Sequence, residues 1–276
     1  MNKRIFYVLL FGLIITLNVY LFISAPPPLE SSKSVEKRFA VADIFEQLAL
    51  ENDVTRTLYT KAIVGAGKKQ GLSFDERWAE QDVHAGPLPA LFLRGISNDI
   101  SESEIPLDLF LGSDFPIESS NQFKGVQGEK FAQMREDKKA KFFYDEISGK
   151  HIAMFPDYAS AQPCVTCHNK HERTTKTDWV LGDIMGATTW AYPDDSLSTD
   201  DALKLIAAYR SGVKETYLQY LKKFDEPSGD RKPFIGNKWP SQGYFLPDFK
   251  TFSDSVQKLV SPAILSTVLE KVYVQN

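Results

Sequence analysis

The chain has 276 residues, a formal net charge of −4 at pH 7 and 43% hydrophobic residues. The chain is slightly acidic and has no basic stripe interleaved with aromatic residues, which argues against a nucleic-acid partner. Its length predicts one large domain, or a domain with an extension. It contains no G-x-S-x-G, Walker-type or His-Glu-x-x-His motif, so we do not predict an enzyme of those classes, or of any other.

The N-terminus predicts a membrane anchor. Lys3 and Arg4 precede an apolar run from Ile5 to Ile23, which Asn18 alone interrupts with a strongly polar side chain. At a rise of ~1.5 Å per residue, this run roughly matches a hydrocarbon core of ~30 Å. A cleaved signal peptide is the alternative, but the run is long for one and prolines follow Ala25 at once.

We therefore predict a signal anchor over residues 1–25, followed by a linker and helix start over 26–40. Because a positively charged flank stays in the cytoplasm, we expect a single-pass protein of the inner membrane with the bulk of its chain in the periplasm. No later segment is long and apolar enough to span again. We accordingly expect no cytoplasmic domain.

A long helix is predicted from about Ser34 to Gly71. Its apolar residues recur at three- and four-residue steps, and they are Phe39, Ala42, Phe45, Ala49, Leu50, Leu58, Ala62 and Ile63. Gly65 and Gly67 loosen it before Gly71 ends it. Such a helix can transmit motion or act as a stalk, and the stalk is the default interpretation.

Short elements follow. Pro87 and Pro89 predict extended or turn geometry, with a short helix from Ala90. Ile105 to Phe110 predicts a brief helix or strand, and Gly125 to Asp137 predicts a helix.

A small antiparallel sheet is predicted next. Ala140 to Ile147 and His151 to Phe155 are strand candidates around a Ser148-Gly149 turn. Gly182 to Tyr192 is predicted as the last strand, with glycines that allow close approach of another backbone or of a flat ligand.

The C-terminal part predicts helices. Ser198 to Phe224 carries acidic residues in its first turn and lysines in its last, which matches the helix dipole. Its predicted buried face comprises Leu203, Ile206, Tyr209, Val213, Tyr217 and Leu221. After a loop-rich stretch from Pro227 to Pro247, a closing helix is predicted to begin at Ser261-Pro262 and to run to about Tyr273. We predict that residues 196–276 form a helical extension.

The two cysteines of the chain lie in Cys164-Val165-Thr166-Cys167-His168. C-x-x-C-H is the attachment signature of c-type haem. In that chemistry Cys164 and Cys167 add to the two vinyl groups of one porphyrin, and His168 ligates the iron as the proximal ligand. We predict one covalent haem c, attached at a loop. Haem of this type is normally attached outside the cytoplasm, which agrees with the predicted anchor.

Three other chemistries compete for this motif. A redox dithiol expects the pair at the start of a helix that follows a strand, in a βαβ pattern. A zinc site completed by His168 or His171 lacks a second cysteine pair. A disulfide across two residues makes a tight ring that staples little chain.

The arrangement of these elements resembles the Tll-type c-haem PAS-like domain. The residues that carry the resemblance are Pro87 to Arg94, Phe115-Pro116, Asn121, Cys164 to His168, and Gly182 to Ala187. The resemblance implies an α+β, PAS-like domain over residues 41–195, with a small antiparallel sheet behind a long N-terminal helix. It also implies a sensor module, since such domains are often joined to adenylate cyclases, histidine kinases or chemoreceptors.

The second axial position of the iron is open in this prediction. Some members of that family use a cysteine on the first helix, whereas this chain has no third cysteine. His84 ranks first among the distal candidates, ahead of Met154 as the alternative, with His151 and Met185 behind. Each has an ordinary interpretation as a loop, hairpin or core residue. Arg94 is a candidate partner for a haem propionate, or a surface ion-pair residue.

Three functions are compatible with these features. The first is a redox or gas sensor that binds a small gas ligand and acts through a signalling or redox partner in the membrane or periplasm. The second is a monohaem c-type cytochrome for electron transfer, which needs an exposed haem edge. The third is a thiol–disulfide oxidoreductase, which needs a reactive Cys164 and no haem.

Overall fold

The computed structural model describes residues 3–24, 38–225, 232–240 and 243–274, with side chains up to residue 263 in the last of these ranges. It divides the chain into two compact units, Met1–Lys37 and Arg38–Asn276. Its mixture of helices and small sheets is an α+β architecture, as predicted. The predicted linker and the first residues of the predicted long helix lie outside the described residues.

The described part of the first unit is an apolar helix, α1 (Lys3–Ile23), which has no buried residue. Among the described residues it is the one helix long and apolar enough to cross a membrane. The side chains of Thr16 and Asn18 each donate a hydrogen bond of 2.8 Å to the carbonyl four residues earlier. Their polar groups are thereby satisfied within the helix, as an apolar environment requires. The predicted apolar N-terminal helix is confirmed.

The second unit follows a mixed order of elements. In chain order they are β1 (Arg38–Ala40), α2 (Val41–Leu58), a π-helical segment (Tyr59–Gly65), α3 (Ala66–Gln70), β2 (Phe74–Asp75), β3 (Gly86–Pro87), α4 (Pro89–Ser101), β4 (Asp108–Gly112), a 3-10 turn (Ser119–Asn121), α5 (Gly125–Asp137), β5 (Lys141–Asp145), β6 (Lys150–Tyr158), α6 (Gln162–Lys170), β7 (Ile184–Tyr192), β8 (Ser196–Ser198), α7 (Thr199–Lys222), β9 (Phe234–Gly236), β10 (Phe245–Pro247) and α8 (Phe249–Val274).

A four-stranded antiparallel sheet organises this unit, with strand order β4-β7-β6-β5. The hairpin of β5 and β6 forms as predicted, with Gly149 at a φ of 67° in the turn, where a residue without a Cβ is favoured. β7 also forms as predicted, and all nine of its residues are buried. A strand buried on both faces needs partners on both sides of the sheet.

Helices cover both faces. On one side, Ala153 and Trp190 join the main core, to which α2, α4, α7 and α8 contribute. On the other side, Met154 and Ala187 pack with Phe131 of α5 in a smaller cluster. Alternation along β6 sends neighbouring residues to opposite faces, which explains the division into two clusters.

The predicted long helix is confirmed from Val41 to Gln70. It is continuous through α2, the π-helical segment and α3, and it ends where Gly71 adopts a φ of 102°. The π-helical segment was not predicted. Before Val41 the prediction was wrong, because Arg38–Ala40 is a strand that pairs with β8. Pairing with a strand almost 160 residues away in sequence overrides the local helical pattern.

The C-terminal helices belong to the same core as the sheet. The Tyr217 ring of α7 stacks on the Phe252 ring of α8, with centroids 4.5 Å apart, and Phe92 of α4 meets Phe252 edge-on. Helix α8 begins at Phe249, and Pro262 lies inside it, so the predicted start at Ser261-Pro262 was wrong. A proline is favoured in the first turn of a helix, and that rule misplaced the boundary here.

The predicted buried face of α7 needs one correction. Leu203 is 61% exposed, whereas Leu205 is 1% exposed and lies in the main core. Both positions fit a 3.6-residue repeat with Tyr209 and Tyr217, so periodicity alone does not separate them. The Ser198 hydroxyl caps the helix by accepting a hydrogen bond from the Asp201 backbone N–H at 3.1 Å.

These two leucines give a matched test of the fold. Leu205→Ala should lower the free energy of unfolding by about 2–5 kcal/mol, because it removes buried methyl groups and leaves a cavity. Leu203→Ala should change it by less than about 0.5 kcal/mol. Chemical denaturation of the full-length chain in detergent measures both values. Equal losses for the two variants would contradict the orientation of α7.

Candidate functional site

The Cys-x-x-Cys-His motif lies on helix α6, not in the predicted loop. Ala161 is extended at the N-terminal end of the helix, and Pro163 occupies its first turn, where the missing N–H costs no helical hydrogen bond. Cys164 and Cys167 are three residues apart on this helix, and His168 is four residues from Cys164. These spacings place all three side chains on one helical face.

A small apolar cluster holds α6 against the rest of the domain. Val165 packs with Ala159, Trp179 and Met185, and the side chain of Cys164 lies partly buried against the same cluster. Val165 points into this cluster. The adjoining face of α6 carries Cys164, Cys167 and His168, and it is the face that could contact a ligand.

Asn169 fixes the C-terminal end of α6. Its amide nitrogen donates to the Trp179 carbonyl at 2.9 Å, and its amide oxygen accepts from the Trp179 backbone N–H at 2.9 Å. The Lys176 ammonium lies 4.7 Å from the centre of the Trp179 ring. The segment after the helix is thereby tied back to it.

The environment of α6 disfavours charge on the two thiols. Burial raises the pKa of Cys164. Partial desolvation and the nearby Glu76 carboxylate raise that of Cys167, although this side chain still reaches solvent. Neither sulfur atom is in a disulfide. Helix α6 does follow a strand, but β6 and β7 are antiparallel neighbours, so the parallel βαβ unit expected of a dithiol enzyme is not formed. A reactive catalytic thiol needs a lowered pKa, which this helix does not provide.

The same environment keeps His168 neutral. Burial lowers the pKa of its imidazole, the carboxylate of Asp157 partly opposes this effect, and His171 adds to it. Neutral imidazole is the form that ligates a metal.

A partly buried ion pair lies beside the motif. The two terminal guanidinium nitrogens of Arg56 bind the two carboxylate oxygens of Asp157 at 3.0 and 3.1 Å. One of these nitrogens also donates to the Thr188 hydroxyl at 3.4 Å. The side chains are 15% and 27% exposed, so water screens the pair weakly. The cost of removing one partner therefore lies between that of an exposed pair, about 0–1 kcal/mol, and that of a fully buried pair, about 3–5 kcal/mol.

An outer charged network holds His171. Its Nε2 lies 2.9 Å from a Glu76 carboxylate oxygen, and its Nδ1 accepts the Arg173 backbone N–H at 3.1 Å. The Arg173 guanidinium joins Glu76 at 3.1 Å and Glu118 at 2.8 Å. Both ring nitrogens of His171 are therefore engaged, which makes it a residue of the scaffold around α6.

The remaining site candidates are dispersed. His84 is exposed before β3, and Arg94 is exposed on α4. Met154 is fully buried against α5. His151 contacts Tyr144 across the hairpin and lines a cleft of about 250 Å³.

Met185 alone among the four distal candidates shares a hydrophobic cluster with α6, within the described part of the chain. No axial or propionate role of these residues is tested by the fold, and each remains a prediction.

Sequence reasoning missed Arg56 and Asp157. A signal was present, because Asn52 and Thr55 are buried polar residues that interrupt the apolar stripe of α2 next to Arg56. Polar residues on a buried helical face indicate a polar site, since each needs a partner there. The identity of the partner was not readable, because Asp157 is 101 residues away.

The donor set of α6 fits covalent haem attachment. Two protonated thiols and one neutral imidazole share a helical face, and the supporting residues lie on other faces. Zinc fits less well, because no cluster of three or more His, Cys, Asp or Glu side chains with metal-binding geometry occurs among the described residues.

Comparisons with known proteins do not indicate a function for this chain. No protein-family model, no curated protein and no solved structure matches the chain. The function is therefore argued from the residues of α6 and their surroundings.

The clamp on α6 can be tested with one substitution. Asn169→Ala removes both hydrogen bonds to Trp179 and should lower the free energy of unfolding by about 1–3 kcal/mol, because it leaves partly buried backbone groups without partners. Asn98→Ala on the exposed surface of α4 is the control and should change it by less than about 0.5 kcal/mol. Chemical denaturation of the full-length chain compares the two, and equal effects would contradict the clamp.

Thiol reactivity tests the dithiol alternative. In the full-length chain produced without haem, alkylation of Cys164 and Cys167 should reach half its maximal rate above pH ~8.5, the ordinary value of a free thiol, because burial raises both pKa values. Mass spectrometry of iodoacetamide-treated samples follows the rate against pH. The urea-denatured chain is the control and should titrate at the ordinary value. An inflection below pH 7 in the folded chain would instead favour a redox dithiol.

Proposed function

We propose that this chain is a membrane-anchored, extracytoplasmic c-type haem protein that serves as a redox or gas sensor through a partner protein. The observation that carries the proposal is the common face of α6 formed by Cys164, Cys167 and His168. Helix α1 supports the anchored part, since it is long and apolar enough to span a bilayer.

Each residue of α6 has a distinct role in this proposal. Cys164 and Cys167 hold the porphyrin through two thioethers, and His168 presents its neutral imidazole to the iron. Val165 and Asn169 keep the helix, and with it the three ligating side chains, in a fixed position. A bound haem supplies one-electron redox chemistry and a coordination position for a small gas ligand.

The long helix favours a sensor. In sequence, α2 follows the predicted linker, and its Arg56 binds the end of β6, which leads into α6. The charges of Arg56 and Lys68 influence Cys164 and Cys167 respectively, and the π-helical segment lies between these two charges. Such segments occur frequently at functional sites. We therefore expect a change at α6 to reach α2 through the contact between Arg56 and Asp157.

The sensor proposal includes a PAS-like domain. Support comes from the four-stranded antiparallel sheet with a long helix in the core on one face and α5 on the other. The partner is a signalling or redox protein of the membrane or periplasm.

Electron transfer as a monohaem cytochrome is the second candidate. The exposure of Cys167 favours it, because a porphyrin attached there has an edge near solvent. A six-coordinate iron that cycles rapidly with a redox partner is the expected property of a cytochrome. A five-coordinate, high-spin iron that binds carbon monoxide or nitric oxide is the expected property of a gas sensor, and an optical spectrum distinguishes the two.

Substitutions in α6 test haem attachment directly. Cys164→Ala combined with Cys167→Ala should abolish covalent haem completely, because no thioether can form. His168→Ala should lower the yield but leave some covalent haem with an altered spin state, since the thioethers and not the imidazole retain the porphyrin. Haem staining on a denaturing gel and the optical spectrum measure these outcomes.

His171→Ala is the matched control, because His171 is a scaffold histidine three residues further along the chain. It should keep the parent's covalent haem and spectrum. Covalent haem in the double cysteine variant would refute the proposal. A His168→Ala spectrum identical to that of the parent would refute the role of His168.

A further inference from the structure

The ion pair between Arg56 and Asp157 combines a precise geometry with an unsatisfied hydrogen-bond donor. Arg56 uses both terminal nitrogens on one carboxylate, at 3.0 and 3.1 Å. Its Nε is buried and has no hydrogen-bond partner among the residues that the structure describes. Placing a guanidinium in the interior with one donor unsatisfied is costly, and a pair of apolar residues is often at least as stabilising. The cost points to a use of the charges themselves.

Both charges lie within electrostatic reach of the motif. Ala159, two residues after Asp157, packs with Val165 and Cys164 of α6. In keeping with this contact, the Asp157 carboxylate raises the pKa of both Cys164 and His168, and the Arg56 guanidinium lowers that of Cys164. Asp157 is the second-last residue of β6, and α6 begins a few residues later, so the connection between carboxylate and motif is short. Partial burial keeps the interaction strong, because few water molecules and ions screen it.

The carboxylate is also held in one place. Arg56 comes from α2 and grips Asp157 from the side of the main core, while Thr188 of β7 accepts a third hydrogen bond from the same guanidinium. Asp157 lies opposite Gly186 in the β6–β7 ladder, where a Cβ would come within 2.5 Å of the Gly112 carbonyl oxygen. The close strand packing at Gly186 and the ion pair together restrict the position of the charge.

We propose that Asp157 is a positioning residue that sets the redox potential of an iron bound at His168, with Arg56 as its counter-charge. This inference rests on the proposed haem attachment. Loss of one electron raises the charge at the iron by one. The carboxylate of Asp157 stabilises that more positive state and lowers the midpoint potential, whereas the guanidinium of Arg56 opposes it.

The test uses redox titration of the haem-loaded, full-length chain in detergent, followed by its optical spectrum. Asp157→Asn should raise the midpoint potential, and Arg56→Gln should lower it. A tenfold change in the ratio of ferrous to ferric iron at fixed poise corresponds to about 59 mV for one electron. We expect a severalfold change for each variant, in opposite directions.

Two further variants separate charge from shape. Arg56→Lys retains the positive charge and should stay near the parent's potential despite losing the bidentate geometry. The double variant Arg56→Gln with Asp157→Asn removes both charges and should also stay near the parent. A purely structural role predicts that the two single variants shift the potential in the same direction, since each breaks the same pair.

A second ion pair on α2 is the matched control. Glu51 binds the Arg210 side chain of α7 at 2.7 and 3.0 Å, also through two hydrogen bonds, which here come from Nε and one terminal nitrogen. Glu51→Gln and Arg210→Gln should lower thermal stability without moving the midpoint potential. Circular dichroism identifies the folded variants. If only one single variant folds, the double variant decides, because a charge effect returns its potential to near that of the parent, whereas a purely structural effect retains the shift.

The outcomes separate this inference from the proposed function. Absence of covalent haem in the parent chain refutes the proposed function. Covalent haem with no shift, or with shifts of the same sign in Asp157→Asn and Arg56→Gln, overturns the role of the ion pair alone.

Discussion

The pairing of β6 with β7 is the constraint on which the candidate site depends. These strands are antiparallel neighbours in the middle of the sheet, and the chain between them leaves the sheet at one end of the strands and returns to it there. The Ala159 N–H donates to the Asp183 carbonyl at 2.8 Å, and the Gly182 N–H donates to the Ala159 carbonyl at 3.1 Å. The excursion that contains α6 is therefore closed at its base. A helix on a closed excursion is positioned by the sheet, and Asn169 fixes its far end.

The two faces of the sheet pack against different hydrophobic clusters. One face carries the large core, to which residues from Val41 to Val260 contribute, so helices far apart in sequence share one hydrophobic interior. The other face carries the smaller cluster around Phe131. Arg56 comes from the large-core side and reaches Asp157 at the end of β6. Helix α2 thus contributes buried polar residues to the core, among them Asn52 and Thr55, and also contacts the end of β6, the strand that precedes α6.

Burial at α6 changes the pKa values of the Cys-x-x-Cys-His side chains, and these values bear on which chemistry the motif can perform. It raises the pKa of both thiols and lowers the pKa of His168, so the three groups are neutral in the folded chain near neutral pH. Neutral groups suit the proposed covalent attachment and iron ligation, whereas thiol–disulfide exchange needs a thiolate. The nearby ion pair then places one fixed negative and one fixed positive charge beside groups that carry none. Such preorganised charges influence a bound redox centre without being part of it.

The sequence by itself determined the features whose physical cause is local. The apolar run of α1, the helix ending at Gly71, the turn at Gly149 and the capped helix α7 each follow from hydrophobicity, φ preference or capping within a few residues. Tertiary structure decided the rest: the strand at Arg38–Ala40, the choice of Leu205 over Leu203, and the helical form of the Cys-x-x-Cys-His segment. It also decided the pairing of Arg56 with Asp157, because contacts between residues 101 positions apart depend on the whole fold, and no local pattern encodes the partner of a buried charge.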